Sequence, residues 1–314
     1  MARIAIVGAG FVGRAWAITF ARAGHDVALW DDNAAAPAKA VAFARDMLPE
    51  LAANGLLAGP PEEVLARLTI EAELEAALAS ADHVQENAPE ELALKTALFA
   101  RLDALAPRAA VIASSSSAIL PSKFTEALAD RHRCLVAHPI NPPYLVPATE
   151  VVPAPWTSPE TVERTRALLL SVGQAPIVMR RELDGFIMNR LQGALLEEAF
   201  RLVADGYASV EDIDAGIRDG LALRWSFMGP FETIDLNAPG GVRDYVARYQ
   251  AIYVDLFQQM QRRVDWGGEV LDIVERERRR RLPEESIGER LKWRDRRLMA
   301  LIAQKRRAAR EIGE

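Results

Sequence analysis

Polar side chains with catalytic potential flank short apolar runs in the middle of the chain. His138 comes directly after the apolar run 135–137, Ser117 ends a run of serines that follows the apolar run 111–113, and Glu150 stands before two valines. Ligands of open parallel sheets bind beyond the carboxyl ends of the strands, so these side chains are expected at one edge of a sheet. Each is ordinary by itself, and their convergence favours a catalytic site.

The residue types suit the oxidation of an alcohol. A hydroxyl loses its proton while its carbon loses a hydride, and histidine is the side chain best suited to accept a proton near neutral pH. His138 is therefore the expected base, and Glu150 is expected to orient its imidazole. Ser117 and Asn189 are expected to hold the reacting oxygen. Structural or surface roles are expected for the other histidines, which are His25, His83 and His132.

A glycine pattern near residue 8 is typical of a dinucleotide site. It reads Gly8-Ala9-Gly10-Phe11-Val12-Gly13, after an apolar strand pattern and before a helical one. Such glycines permit a tight turn and let the backbone approach a pyrophosphate at a helix N-terminus. Asp31 ends the next strand pattern, where an acid binds ribose hydroxyls, and no arginine follows nearby in sequence to hold a 2′-phosphate. The pattern predicts NAD as cofactor, with contacts at Gly8, Gly10, Phe11, Val12, Gly13 and Asp31.

Alternating strand and helix patterns predict the scaffold that positions these residues. Short apolar runs alternate with helical stretches, such as 11–23 and 92–105, as far as residue 179. Such alternation implies parallel βαβ units. From Gly185 onward only helical periods are evident. We expect an α/β protein: a Rossmann-type, doubly wound parallel sheet in residues 1–184 and an all-helical substrate and dimerisation domain in residues 185–314.

Composition narrows the class of protein. The 314 residues carry a net charge of −6, and the mild acidity argues against a nucleic-acid partner. The arginine-rich tail also contains acids, which is typical of a solvated helix face. No run of about 20 apolar residues is available for a membrane span, and no signal peptide is visible. The single Cys134 is expected to be buried, the expected compartment is the cytoplasm, and no metal site is expected.

Several motifs resemble the 3-hydroxyacyl-CoA dehydrogenase superfamily along essentially the whole chain. They are the glycine pattern at 8–13, Ser-Ser-Ser-Ser-Ala-Ile at 114–119, His-Pro-Ile-Asn-Pro-Pro at 138–143, Thr-Glu-Val-Val at 149–152 and Gly-Phe-Ile-Met-Asn-Arg at 185–190. The catalytic residues that the resemblance implies are His138, Glu150, Ser117 and Asn189. The cofactor contacts that it implies are Asp31, Glu90 and Lys95, and Asn141 is a further expected cofactor contact.

Within that superfamily the chain looks most like the lambda-crystallin and L-gulonate 3-dehydrogenase branch, chiefly through residues 220–237. It departs from the acyl-CoA members in the helical arm after the second strand. Residues 47–57 contain no lysine there, and Glu50 is expected to repel phosphates. Ser115 stands where those members carry asparagine. A free carboxylate substrate needs a cation, and Arg224 is the candidate, although a bridge between helices or subunits is an equal alternative.

Three functions therefore compete. The first is NAD-dependent oxidation of a small free 3-hydroxy acid, with L-gulonate as leading substrate. The second is a 3-hydroxyacyl-CoA dehydrogenase, and the third is a structural protein that reuses the fold. The helical domain is expected to form a homodimer because its apolar side chains need cover, notably Phe227, Phe231, Ile234 and Leu236.

Overall fold

The computed structural model describes residues 1–313 and contains one eight-stranded sheet in the order β3-β2-β1-β4-β5-β6-β7-β8. This order, with β2 and β3 on one side of β1 and β4 to β8 on the other, is that of a doubly wound fold. The expected Rossmann-type sheet is confirmed. Its strands are β1 (Arg3–Val7), β2 (Asp26–Trp30), β3 (Leu68–Ile70), β4 (His83–Glu86), β5 (Val111–Ser114), β6 (Cys134–Pro139), β7 (Ala148–Pro153) and β8 (Ala175–Val178).

Helices cover both faces of this sheet. They are α1 (Phe11–Arg22), α2 (Ala36–Ala53), α3 (Pro61–Leu65), α4 (Leu74–Leu78), α5 (Leu92–Leu105), α6 (Pro121–Thr125) and α7 (Pro159–Ser171). One buried cluster includes Trp16 and Phe20 of α1, and another includes Phe99 of α5 with Phe124 of α6. The buried strands read as continuous apolar runs because helices cover both sides of a parallel sheet.

One strand pair departs from the all-parallel expectation. β6 and β7 are antiparallel, while the other neighbouring strands of the sheet are parallel. Residues 140–147 join β6 to β7 without a helix. A parallel pair needs a crossover of about a dozen residues or more, so this short connection requires the antiparallel direction.

The chain divides into two compact units. The first comprises residues 1–189 together with Asp295–Ala303, a part of the last helix. Met299 of that segment is fully buried in the first unit's core. The second unit holds residues 190–294 and the chain from Gln304 onward. The sequence had suggested a boundary after residue 184, and it had not suggested that a C-terminal segment returns to the first unit.

The second unit is helical, and residues 185–313 contain no strand. Ser209 caps the N-terminus of α9, because its hydroxyl accepts a hydrogen bond from Asp212 N. Among residues 1–313 no helix has the length and apolar character that a membrane crossing demands. The helices are α8 (Met188–Ala204), α9 (Val210–Ala215), a π-helical turn (Gly216–Leu221), α10 (Ala222–Trp225), α11 (Pro230–Leu236), α12 (Gly241–Gln259), α13 (Glu269–Arg281) and α14 (Ile287–Ile312).

Candidate active site and cofactor groove

The glycine loop between β1 and α1 has one glycine that is open to a ligand and two that packing requires. A Cβ on Gly13 would lie 1.9 Å from Gly8 O, and a Cβ on Gly8, whose φ is +90°, would lie 2.9 Å from Asn87 C. Gly10 differs, since a Cβ there would meet no described atom within 4 Å. The space beside Gly10 fits the close approach of a dinucleotide pyrophosphate to the backbone.

Asp31 holds the glycine loop and remains partly exposed. Its Oδ2 accepts a hydrogen bond from Ala9 N at 2.7 Å, and its Oδ1 accepts one from Asn33 N at 2.8 Å. Phe11 is 51% exposed at the start of α1. The predicted cofactor residues of this loop therefore lie together at the carboxyl ends of β1 and β2.

His138 and Glu150 face each other across the antiparallel pair of β6 and β7, where they are register partners. Nδ1 of His138 donates to Oε2 of Glu150 at 2.7 Å, and the carboxylate is fully buried. Ile187 N and Met188 N donate to its Oε1 at 2.7 and 2.9 Å. Burial alone favours the neutral acid, but the hydrogen bonds from His138 and these two amides outweigh it, and the pKa of Glu150 is lowered.

The two amides that bind Glu150 follow a turn that sequence reasoning did not recognise as functional. Gly185 and Phe186 both have positive φ, 75° and 48°, and Phe186 is fully buried. A left-handed conformation costs a non-glycine residue roughly 1–3 kcal/mol. The turn aims successive N–H groups at one carboxylate, and the Phe186 ring lies 5.7 Å from the His138 imidazole. The Gly185-Phe186 pair by itself did not indicate that the two following amides bind Glu150.

Glu90 organises the serine loop that carries Ser117. Its carboxylate accepts hydrogen bonds from the Ser116 hydroxyl and from the amides of Ser117, Ala118 and Ile119. Burial opposes ionisation, but these four donors outweigh it and lower the pKa of Glu90. Asn189 Nδ2 donates to the Ser117 carbonyl at 2.7 Å. The first unit therefore brings Ser117 and Asn189 together, and their expected role at the reacting oxygen stays a prediction.

Lys95 lies in the interior rather than in an open position. Its side chain is 1% exposed, and its Nζ donates to both oxygens of Glu86 at 3.0 and 3.1 Å and to the Ala88 carbonyl at 3.2 Å. Glu86 Oε1 also accepts from Ala88 N at 2.6 Å. Because Asn87 of this turn packs directly against Gly8, Lys95 supports the glycine loop from beneath. The expected cofactor contact of Lys95 stays a prediction.

Ser115 occupies a structural junction that sequence reasoning noted only as a departure. Its hydroxyl accepts hydrogen bonds from Trp16 Nε1 at 3.0 Å and Gln85 Nε2 at 2.8 Å. It donates to Asn87 Oδ1 at 2.8 Å. The serine therefore links α1, β4 and the turn beneath the glycine loop.

Asn141 carries an unsatisfied acceptor. Among the described residues its Oδ1 is the buried side-chain polar atom without a hydrogen-bond partner. The loop around it is well anchored, since Gln174 Nε2 donates to the Pro143 carbonyl at 2.8 Å and Arg22 Nη1 donates to the Tyr144 carbonyl at 2.8 Å. A buried acceptor without a donor costs about 1–3 kcal/mol, so Asn141 suits a ligand that brings an N–H group.

Arg224 lies partly buried on α10 of the second unit, and its guanidinium makes no ion pair with another residue in 1–313. Glu50 was expected to repel phosphates, and this expectation was incomplete. Arg296 of the C-terminal segment binds the Glu50 carboxylate through two hydrogen bonds of 2.8 and 2.9 Å, which balances its charge.

Fold and site together define an NAD-dependent oxidoreductase with a Rossmann-type domain and a helical domain. The model of the 3-hydroxyacyl-CoA dehydrogenase NAD binding domain matches residues 3–183, and that of the C-terminal domain matches residues 185–269. The chain belongs to the 3-hydroxyacyl-CoA dehydrogenase family.

Three similar proteins illustrate the range of this family. Lambda-crystallin of Oryctolagus cuniculus is 39% identical over 307 residues, which cover 96% of each chain. An L-carnitine dehydrogenase of Streptomyces griseus is 44% identical over 242 residues, or 76% of this chain and 70% of that one. The solved structure of an NAD+-dependent FHMPC 5-dehydrogenase has a TM-score of 0.82 at 26% identity and covers 97% of this chain and 99% of that one. These relatives support an NAD-dependent 3-hydroxy acid dehydrogenase.

Proposed function

We propose that this enzyme oxidises the 3-hydroxyl of a small free hydroxy acid, with L-gulonate as leading substrate, and uses His138 as general base. The observation that carries the proposal is the buried pair of His138 and Glu150. A carboxylate that accepts from Nδ1–H leaves Nε2 of the same imidazole as the proton acceptor.

Glu150 supports proton transfer in two ways. It selects the tautomer of His138, and its negative charge stabilises the imidazolium that forms when the substrate proton arrives. The amides of Ile187 and Met188 keep the carboxylate ionised and fixed. NAD supplies the hydride acceptor when it is bound. Ser117 and Asn189 are the proposed donors to the reacting oxygen. The hydrogen bond from Asn189 Nδ2 to the Ser117 carbonyl supports this by holding the two residues together.

The residues proposed to hold NAD lie around the glycine loop. Gly8, Gly10 and Gly13 shape the backbone that faces the pyrophosphate, with Phe11 and Val12 at the start of α1. Asp31 is proposed to bind the ribose hydroxyls. The unpaired acceptor of Asn141 suits the carboxamide of the nicotinamide.

A free carboxylate is favoured over a coenzyme A thioester. The L-carnitine dehydrogenase relatives are named for a free 3-hydroxy acid. Glu50 of the helical arm (residues 47–57) already binds Arg296 of α14, so this arginine offers less positive charge to a phosphate. Arg224 is the proposed partner of the substrate carboxylate because it has no ion pair of its own among the described residues.

A substrate panel tests the proposal. Purified enzyme with NAD is offered L-gulonate, L-carnitine, 3-hydroxybutyrate and 3-hydroxybutyryl-CoA, and NADH absorbance is followed. We expect at least one free acid to exceed the thioester in kcat/KM. A thioester that exceeds all the acids would establish the alternative, a 3-hydroxyacyl-CoA dehydrogenase. His138→Gln is expected to lose activity toward the best substrate, whereas the exposed His132→Gln retains it.

We further propose that the helical unit forms a homodimer. Several large apolar side chains of this unit are exposed in the single chain: Leu223 at 64%, Phe227 at 72%, Phe231 at 80% and Leu236 at 70%. Ile234, also expected in this surface, is half-buried. An apolar patch of this kind needs cover, and a second copy supplies the same surface. Light scattering should report a dimer at micromolar concentration, and Phe231→Glu should shift it to monomer; a monomeric wild type contradicts the proposal.

A cytoplasmic location is proposed from the single cysteine. Cys134 is fully buried, and burial raises its pKa to about 12, which leaves the thiol unreactive. A fold that uses no disulfide suits a reducing compartment. Fractionation of the source cells tests the location, and recovery from a membrane or secreted fraction would contradict it.

A further inference from the structure

Arg14, the residue after the glycine pattern, is held between two aromatic rings. Its guanidinium carbon lies 4.0 Å from the centre of the Phe43 ring and 4.8 Å from that of Phe11. Arginine over a phenylalanine face gains cation–π attraction and loses conformational freedom. The side chain is partly buried, and burial lowers its pKa, while the nearby Tyr144 and Asp295 raise it.

The neighbours of Arg14 are themselves fixed. The ring of Tyr144 packs edge-on against Phe43 at 6.2 Å, and its hydroxyl donates to Asp295 Oδ2 at 3.2 Å. Within residues 1–313 the guanidinium of Arg14 forms no hydrogen bond and no ion pair. The structure therefore builds a rigid aromatic frame around a cation and leaves its N–H donors without a protein acceptor.

The direction of the side chain relates this cation to the cofactor loop. In an α-helix each Cα–Cβ bond tilts toward the N-terminus, so Arg14 leans back over the first turn of α1. Its contact with Phe11, the first residue of that helix, is consistent with this direction. Gly10, with open space at its Cα, precedes Phe11.

We propose that Arg14 binds an anionic oxygen of the bound ligands beside the glycine loop, and the geometry points to the pyrophosphate of NAD. The helix N-terminus supplies backbone N–H groups to the pyrophosphate, and Arg14 adds a full positive charge in the first turn of α1. The carboxylate of the hydroxy acid is the other ligand group with an anionic oxygen that Arg14 could bind. Only this second possibility rests on the proposed function.

Binding measurements on the whole enzyme test this role without reliance on turnover. Arg14→Met keeps an unbranched apolar side chain that can pack against the two rings but removes the charge, and Arg14→Lys keeps the charge. Arg45→Met, an exposed arginine on α2, is the matched control for loss of one positive charge. Dissociation constants for NADH and for ADP-ribose, which retains the pyrophosphate, are measured by fluorescence and calorimetry at low and moderate salt.

We expect Arg14→Met to weaken NADH and ADP-ribose about tenfold to a hundredfold, the range of one charge-assisted hydrogen bond. Arg14→Lys should recover part of this loss, and the salt dependence of binding should fall in Arg14→Met alone. If both dissociation constants stay unchanged while the KM of the free acid rises tenfold or more, the anion is the substrate carboxylate. If Arg14→Met matches Arg45→Met in every measurement, the proposal is wrong and Arg14 serves only to pack the helices.

Discussion

Replacement of Glu150 by glutamine tests how the buried carboxylate controls His138. The exchange preserves the shape of the side chain and one carbonyl oxygen. Ile187 N and Met188 N donate to the same oxygen, Oε1, so the amide oxygen of glutamine is expected to remain with them. The amide NH2 then faces Nδ1 of His138 in place of Oε2. The imidazole must accept at Nδ1 and carry its proton on Nε2, which is the wrong tautomer for a base.

The magnitude follows from what is lost. A positioned general base contributes about 10²–10⁴ in rate. Glutamine removes that contribution through the tautomer and also removes the negative charge beside a developing imidazolium. We therefore expect kcat/KM to fall about a thousandfold, which is about 4 kcal/mol of transition-state stabilisation at 1.36 kcal/mol for each factor of ten. The fold should survive, because the two amide hydrogen bonds remain.

The assay compares kcat/KM for the best hydroxy acid of the panel with the dissociation constant of NADH. Activity should collapse while NADH binding changes less than about threefold, since the proposed cofactor contacts involve other residues. Glu163→Gln is the control, because that exposed glutamate pairs with Arg166 at the surface, where an ion pair contributes little. Adding His138→Ala to Glu150→Gln should cost little more, since the two act as one unit. Activity of Glu150→Gln within about fivefold of wild type would refute the reasoning.

Three further variants, His83→Gln, Asp31→Ala and Arg224→Met, test separate predictions. Burial lowers the pKa of His83 in the folded protein to about 4. The unfolded chain takes up this proton near pH 6.5 and the folded protein only near pH 4, so stability falls as pH falls through that window. Below pH 4 the loss approaches about 3 kcal/mol, from the difference between 6.5 and 4 at about 1.36 kcal/mol per pKa unit. Denaturant unfolding at pH 7 and pH 4.5 should show about 2 kcal/mol of it in wild type and His132→Gln and much less in His83→Gln. Asp31→Ala should narrow the NAD to NADP ratio of kcat/KM at least tenfold, and an unchanged ratio contradicts the assignment. Arg224→Met should raise the KM of a carboxylate substrate about tenfold or more but spare its methyl ester, whereas equal effects on both would assign Arg224 a structural role.

The local sequence pattern was sufficient to predict the strands, the helices and the glycine loop at residues 8–13. Strand and helix periods, the glycine spacing at 8–13 and the serine that begins α9 are properties of neighbouring residues, so they can be read without a partner. The buried state of Cys134 follows in the same way from an apolar run within a covered strand. His138 and Ser117 could be singled out because reactive side chains near strand ends are few, whereas Asn189, in the first turn of α8, was named through the motif at 185–190.

Pairing across long separations was decided only by the tertiary structure. The antiparallel direction of β7 makes Glu150 the register partner of His138, and a turn with positive φ at Phe186 supplies two amides to that carboxylate. Likewise Lys95 forms a buried ion pair with Glu86, and Arg296, which is 246 residues away in sequence, binds Glu50. Sequence periodicity states which face of an element is buried, but the register between elements depends on loop length and on the packing of the whole molecule. For that reason candidate residues of the site could be named from the sequence, whereas the hydrogen bonds that set their charge and orientation required the fold.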